Sequence, residues 1–269
     1  MQLTSVDQIT RSYRHIYLAP HFDDATLSAG GTVVLQSATG QRPLIVTVFA
    51  GIPPAGTTIS PYARQMQENT GLGADAAEAV RKRRAEDAAA ADILGADTLY
   101  LDFPEAIYRG QLTPLYATEE QLFGAVNSAD LHLDEELAAV FSQIAERAPI
   151  AAIYAPLGVG HHVDHLLVCS AADRLAQRKV NVKFFEDFPY VTQPGALEAR
   201  QRELNIAMEP ELVEVSGTLP VAIEAATAYT SQIPRLFGSE DRMKAQLTSY
   251  AASIRRTHAG IELERFWHW

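Results

Sequence analysis

Cysteine is nearly absent from this sequence. Cys169 is the one thiol in 269 residues, which excludes an internal disulfide and fits a reducing compartment. Basic residues are scarce too: 22 Lys and Arg stand against 33 Asp and Glu, a formal charge of −11 at pH 7. That balance argues against nucleic acid and against an anionic membrane surface as partners, and no basic stripe with interleaved aromatics marks an RNA or DNA footprint. Long apolar runs are missing. Nothing approaches a transmembrane span, and the opening stretch MQLTSVDQITRSYRH lacks the apolar centre of a secretory leader, so a cytoplasmic chain is expected. No repeat, low-complexity tract or composition break divides the sequence, and one domain over residues 1–269 is the expectation. The Gly30-Gly31 pair is not part of a G-x-G-x-x-G motif, and no acidic residue ends a neighbouring strand where a dinucleotide would need it.

What the chain has in plenty is apolar residues, 47 % of the total, enough for a large core. Short apolar runs alternate with helical patterns. Ile16–Ala19, Leu44–Phe49, Thr98–Leu101, Ile150–Ala155, Val182–Phe185 and Leu212–Val215 read as strands. Ala25–Gln36, Ala76–Leu94 (closed by Gly95), Asp134–Arg147, Asp164–Arg178, Pro220–Phe237 and Ser239–Arg256 read as helices. Ala50–Ala74 reads as a long loop, Phe103–Leu133 as a second irregular insertion, and Phe266–Trp269 as an aromatic tail. This alternation predicts an α/β fold: a single Rossmann-like domain with a mostly parallel sheet and helices on both faces.

Two polar turns stand out against that background. The first, HFDD, follows the strand Ile16–Ala19, and the second, GHHVDH, follows the strand Ile150–Ala155. The carboxyl ends of parallel strands are where α/β sheets build their sites. His21 and Asp24 are three residues apart, as are His162 and His165, so each pair faces one way on a turn. Imidazoles and carboxylates are the ligand types zinc prefers. Either turn has a plain alternative: Asp23 as a helix cap, or GHHVDH as a solvated helix start. Together, at two strand ends of one sheet, they favour a metal site. On spacing alone His162 is as good a ligand as its neighbours.

The pair HFDDATLSAGG and GHHVDH resembles the signature of the zinc-dependent LmbE/PIG-L N-deacetylase family, A-H-P-D-D near the amino end and H-x-D-H later. The resemblance extends to RRAEDAAAADILGA, LDFPEAIYR and FFEDFPY, and more loosely to AYTSQIPRLF. It implies His21, Asp24 and His165 as ligands of Zn²⁺ or another divalent metal, and Asp23 as the general base. It implies His162 as the group that stabilises the oxyanion or protonates the leaving amine, with Asp164 tuning its charge. Arg83, Glu105 and Arg109 become substrate-binding residues. A three-ligand set also leaves a position open, as a catalytic zinc requires. Phe22 and Ala25 depart from the family pattern, Glu105 stands where aspartate is common, and Gly158-Val159-Gly160 replaces a segment that carries a tyrosine in some members. The implied substrate is a small N-acetylated amino sugar or glycoside. The alternatives are a non-catalytic α/β sugar- or nucleotide-binding module and a metal-dependent deacylase of a non-sugar amine. The sequence is compatible with a homo-oligomer.

Overall fold

The computed structural model describes residues 1–147, 150–254 and 261–269. The chain opens with β1 (Gln2–Leu3), β2 (Tyr13–Ala19), α1 (Asp24–Ala38) and β3 (Arg42–Thr47). It continues through α2 (Pro61–Asn69), α3 (Ala76–Leu94), β4 (Asp97–Tyr100), the short α4 (Glu119–Leu122), α5 (His132–Arg147) and β5 (Ala152–Pro156). Then come α6 (Val163–Gln177), β6 (Val182–Phe185), α7 (Ala196–Leu204) and β7 (Glu209–Glu214). It closes with α8 (Leu219–Ala226), α9 (Ile233–Phe237), α10 (Glu240–Ser253) and β8 (Leu263–His268). Among the described residues no helix is long and apolar enough to cross a membrane.

All eight strands join one sheet, in the order β1-β4-β3-β2-β5-β6-β8-β7. The six strands from β1 to β6 pair in parallel, and β8 and β7 add an antiparallel edge. A continuous apolar strand such as β2 has to be covered on both faces, and its alternating side chains sort accordingly. Ile16 and Leu18 enter the cluster that holds Leu137 and Phe141 of α5 and Val168 and Leu175 of α6. Tyr17 and Ala19 enter the opposite one, with Ala29 and Val33 of α1, Ala90 and Leu94 of α3 and Ala222 of α8.

The sheet order places the site. From β2 the chain winds outward to β3 and β4, whereas β5 and β6 lie on its other side, so the winding reverses between β2 and β5. These two strands pair directly, Ile16 beside Ile153 and Tyr17 beside Tyr154. A crevice opens at the carboxyl ends of strands where the order reverses. The turns that leave β2 and β5 are HFDD and GHHVDH.

Three expectations are corrected. The stretch Ala50–Ala74 contains α2, nucleated by Pro61 at its first turn and capped by Ser60, whose hydroxyl accepts from the Ala63 amide. Its weak periodicity follows from its position, since only Ala63 and Gln67 are buried. The helix expected over Pro220–Phe237 is broken into α8 and α9, because Tyr229, Thr230 and Ser231 bond to Asp87 and Glu86 of α3. The aromatic tail is β8, seated between β6 and β7 with Phe266 and Trp267 buried. Of the helix expected to reach Arg256, Arg255 and Arg256 lie outside the described residues.

Candidate metal centre and active-site cleft

His21 leaves the end of β2, and its backbone amide donates to Asp24 Oδ2 at 2.7 Å, closing the turn that opens α1. Asp23 sits at the N-cap position but makes no side-chain cap bond, so its carboxylate remains available to the cleft. On the other side of the crevice His162 is the N-cap of α6, its Nδ1 accepting the Asp164 amide at 3.2 Å. His165 follows one turn later. Gly158 and Gly160, at φ 84° and 88°, bend the approach into this turn. A Cβ at Gly160 would stand 2.6 Å from the Tyr190 ring, so no side chain fits there.

Each of two imidazoles is oriented by a carboxylate behind it. His21 Nε2 lies 3.0 Å from Asp164 Oδ2, and His165 Nδ1 lies 2.6 Å from Asp187 Oδ1. A nitrogen donating to a carboxylate leaves the opposite nitrogen with a bare lone pair. Those lone pairs converge. His21 Nδ1 is 3.3 Å from His165 Nε2, and Asp24 Oδ2 is 3.4 Å from the first and 3.3 Å from the second.

Three acceptor atoms facing one another repel unless a cation lies among them. Donor atoms at ~2.0–2.1 Å around a tetrahedral zinc are themselves separated by ~3.3–3.4 Å, which is the edge observed here. His162 also offers a nitrogen, in a looser grouping in which one atom from each of His21, His162 and His165 lies within 4.8 Å of the others. The donor set fits Zn²⁺.

Electrostatics agree with the geometry. Burial alone would depress His21, but Glu105, Asp164 and Asp24 outweigh it and lift the imidazole to about 10. Burial would likewise depress His165, and Asp24 and Asp187 reverse it. Against burial, His165 and His21 hold Asp24 down at about 2. A nest that favours positive charge this strongly on two imidazoles accepts a dication in place of protons. His162 behaves oppositely: burial, then His21, push it well below the ordinary histidine value, so it is a neutral imidazole with its proton on Nε2. Burial, then the Asp24 charge, push Asp23 above the usual carboxylate range, with Arg83 opposing from 3.7 Å.

The cleft above this centre is lined by His21, Asp23, Asp24, Arg83, Glu105 and His162 from the expected set, and by Met66, Phe188, Tyr190, Gln232 and Arg235 beyond it. Arg83 reaches Glu105 Oε2 at 2.5 Å, so these two side chains stand together at the wall. Arg109 does not line the cleft. It is buried behind His21, donating to Asp130 Oδ2 at 2.6 Å and to Asp164 Oδ1 at 2.5 Å, where it holds the carboxylate that orients His21. Asp164 does more than the resemblance implies: its charge acts on His162 and its backbone amide donates to that ring, while its carboxylate also serves His21, Arg109 and the Ala106 amide. Asp187 is the member that motif spacing does not single out. It follows β6 as the two motifs follow β2 and β5, and that position is the signal that marks it.

A family model described as GlcNAc-PI de-N-acetylase, PIG-L, matches residues 16–176. The chain is 32 % identical over 241 residues to a 2'-N-acetylparomamine deacetylase of Niallia circulans, covering 85 % of this chain and 84 % of that protein. It is 28 % identical over 229 residues to a protein of the same name from Streptomyces fradiae, covering 82 % and 74 %. Among solved structures it resembles the zinc inhibited form of teicoplanin deacetylase Orf2, with a TM-score of 0.80 and 27 % identity over 94 % of this chain and 97 % of that one.

Proposed function

The chain belongs to the PIG-L family of de-N-acetylases, and from that membership we propose that it hydrolyses the N-acetyl group of an amino sugar with a zinc ion held by His21, Asp24 and His165. It is a hydrolase of carbon–nitrogen bonds other than peptide bonds. One observation carries the metal assignment: the 3.3–3.4 Å triangle of His21 Nδ1, Asp24 Oδ2 and His165 Nε2, each atom turned inward by a partner behind it or by the turn itself. When bound, zinc supplies Lewis-acid polarisation of the amide and an acidified water nucleophile.

The remaining work falls to this chain's own side chains. Asp23, adjacent to the ligand Asp24 but free of the triangle, takes the proton of the attacking water. His162 offers its Nε2–H to the carbonyl oxygen as negative charge develops there; its depressed basicity suits it to hydrogen-bond donation more than to service as an imidazolium acid. The proton gained by Asp23 passes to the nitrogen as the carbon–nitrogen bond breaks, giving acetate and a free amine. Arg83 steadies Asp23 and, with Glu105, presents polar atoms to the sugar. Asp164 and Asp187 orient the two ligand imidazoles.

The test is metal analysis together with acetate release from N-acetylglucosaminides. Stoichiometric zinc with acetate release is expected. A purified protein without zinc-dependent acetate release from any acylated amino sugar would overturn the reading in favour of a binding module, and release only from acylated non-sugar amines would favour the other deacylase.

A further inference from the structure

One wall of the cleft comes from the end of the segment between α8 and α9 and from α9 itself, and side chains of α3 hold that segment in place. Glu86 of α3 accepts the Thr230 hydroxyl at 2.8 Å, the Ser231 amide at 2.8 Å and the Ser231 hydroxyl at 2.6 Å. One residue further along α3, Asp87 meets the Tyr229 hydroxyl at 2.9 Å. The helix that carries Arg83 into the cleft therefore also clamps this wall. Because the Ser231 hydroxyl donates to Glu86, it accepts from Gln232 Nε2, at 2.9 Å, which ties the cleft-lining Gln232 to the same clamp.

Arg235 stands next on the same wall, beside Tyr62 of α2. It is exposed, and among the described residues it has no carboxylate within ion-pair distance. The other lining guanidinium, Arg83, is neutralised by Glu105 and Asp23. Glu119 and Glu120 also act on Tyr62 but are not among the residues that line the cleft. A clamped wall thus carries, beside the Tyr62 hydroxyl, a guanidinium that no carboxylate neutralises among the described residues.

We propose that Arg235 is a specificity-determining residue that recognises an oxyanion, a phosphate or a carboxylate, on the part of the substrate beyond the N-acetylated sugar. The proposal rests on the amino-sugar reading above. A guanidinium suits this task because its planar fork pairs with either oxyanion at two oxygens. The same cation disfavours an aminoglycosidic extension, so this chain would differ in substrate charge from enzymes that act on polyamine sugars.

The experiment uses the zinc-loaded full chain and four probes: the methyl glycoside of N-acetylglucosamine, N-acetylglucosamine 1-phosphate, and the carboxymethyl and 2-aminoethyl glycosides. The wild type should prefer one or both anionic probes to the methyl glycoside in kcat/KM, the phosphate and carboxylate arms separating the two sources of charge. Arg235→Gln should collapse that preference by roughly 10-fold, chiefly through KM, and Arg235→Glu should turn it toward the aminoethyl glycoside. Calorimetric binding of the 1-phosphate and the carboxymethyl glycoside to Asp23→Asn, with and without Arg235→Gln, reads the same preference without turnover. Equal use of neutral and anionic probes, preference for the aminoethyl glycoside by the wild type, or a preference and affinities that Arg235→Gln leaves unmoved would overturn the proposal. Failure of every probe to release acetate would sink the deacetylase reading instead, and the binding arm would still decide Arg235.

Discussion

At the scale of single residues, the proposed reaction separates groups that hold the metal from groups that move protons. Asp23→Asn keeps the shape of the turn and all three ligand atoms, so it should retain zinc while turnover falls by ~10²-fold or more. Metal analysis beside a rate measurement checks both halves, and loss of zinc in this variant would exchange the roles of Asp23 and Asp24. Asp187→Ala acts on the other quantity. It frees His165 Nδ1 and strands the Gly158 and Val159 amides, which both donate to Asp187 Oδ2 at 2.8 Å. Chelator competition should show zinc affinity weakened by about 10- to 100-fold. Asp87 gives a pH signature. It is fully buried with no cation paired to it among the described residues, and burial pushes it up to about 7. A carboxyl whose folded value lies above its unfolded one binds more protons in the native state, so its contribution is intact below the unfolded value and is lost as pH rises through 7. Asp87→Asn mimics the neutral acid toward the Tyr229 hydroxyl. The variant's unfolding free energy should fall less between pH 5 and 8 than the wild type's, by at most about 1.4 kcal/mol per pH unit in that window.

Elements are held in place by close approaches that leave room for few side chains. At Gly30-Gly31 of α1 an added Cβ would stand 3.0 Å from Ala222 of α8 and 2.7 Å from Val215. These glycines bring α1 against α8 and the turn before it. Glu264 of β8 reaches into the same gap and accepts from the Gly31 amide, the Thr32 amide and the Thr32 hydroxyl. Gly31→Ala should therefore destabilise by about 1–3 kcal/mol in a denaturant titration, through overpacking rather than helix propensity, which alone would favour alanine. The substitution lies well behind the cleft, so any residual folded protein should still bind zinc. Helix α3 plays the opposite part. One face supplies Arg83 to the cleft, Glu86 to the wall and Asp87 to the Tyr229 hydroxyl, which also donates to the Phe22 carbonyl inside the first motif.

Over the whole molecule, the chain gathers Asp23, Asp24, Glu105, Asp164 and Asp187 in its interior around two imidazoles, with Arg83 and Arg109 as the nearby guanidiniums. A dication bound to the native state alone stabilises it by mass action, so stripping zinc with a chelator should lower Tm by several degrees, on the scale of ~4 kcal/mol at a thousandfold excess over Kd. Calorimetric scans with and without chelator check this, and an unchanged Tm would mean that the triangle holds no metal. The alternation of apolar runs and helical patterns sufficed for the α/β class, and the pair of polar turns sufficed to bring forward His21, Asp24, His162 and His165 as candidates for a metal site, because strand burial and metal chemistry both leave their mark in local residue order. His21 and His165 were legible that way, and so was the helix Ala76–Leu94 with its Asp75 cap and Gly95 stop. Other features depended on distant partners. Asp164 serves His21 across the β2–β5 crevice, Arg109 withdraws from the cleft to hold Asp164, and Tyr229–Ser231 break a helix to meet α3. Residue type and spacing fixed which groups could bind a metal; only the reversal of strand order between β2 and β5 decided which lone pairs meet, because that contact joins segments more than a hundred residues apart.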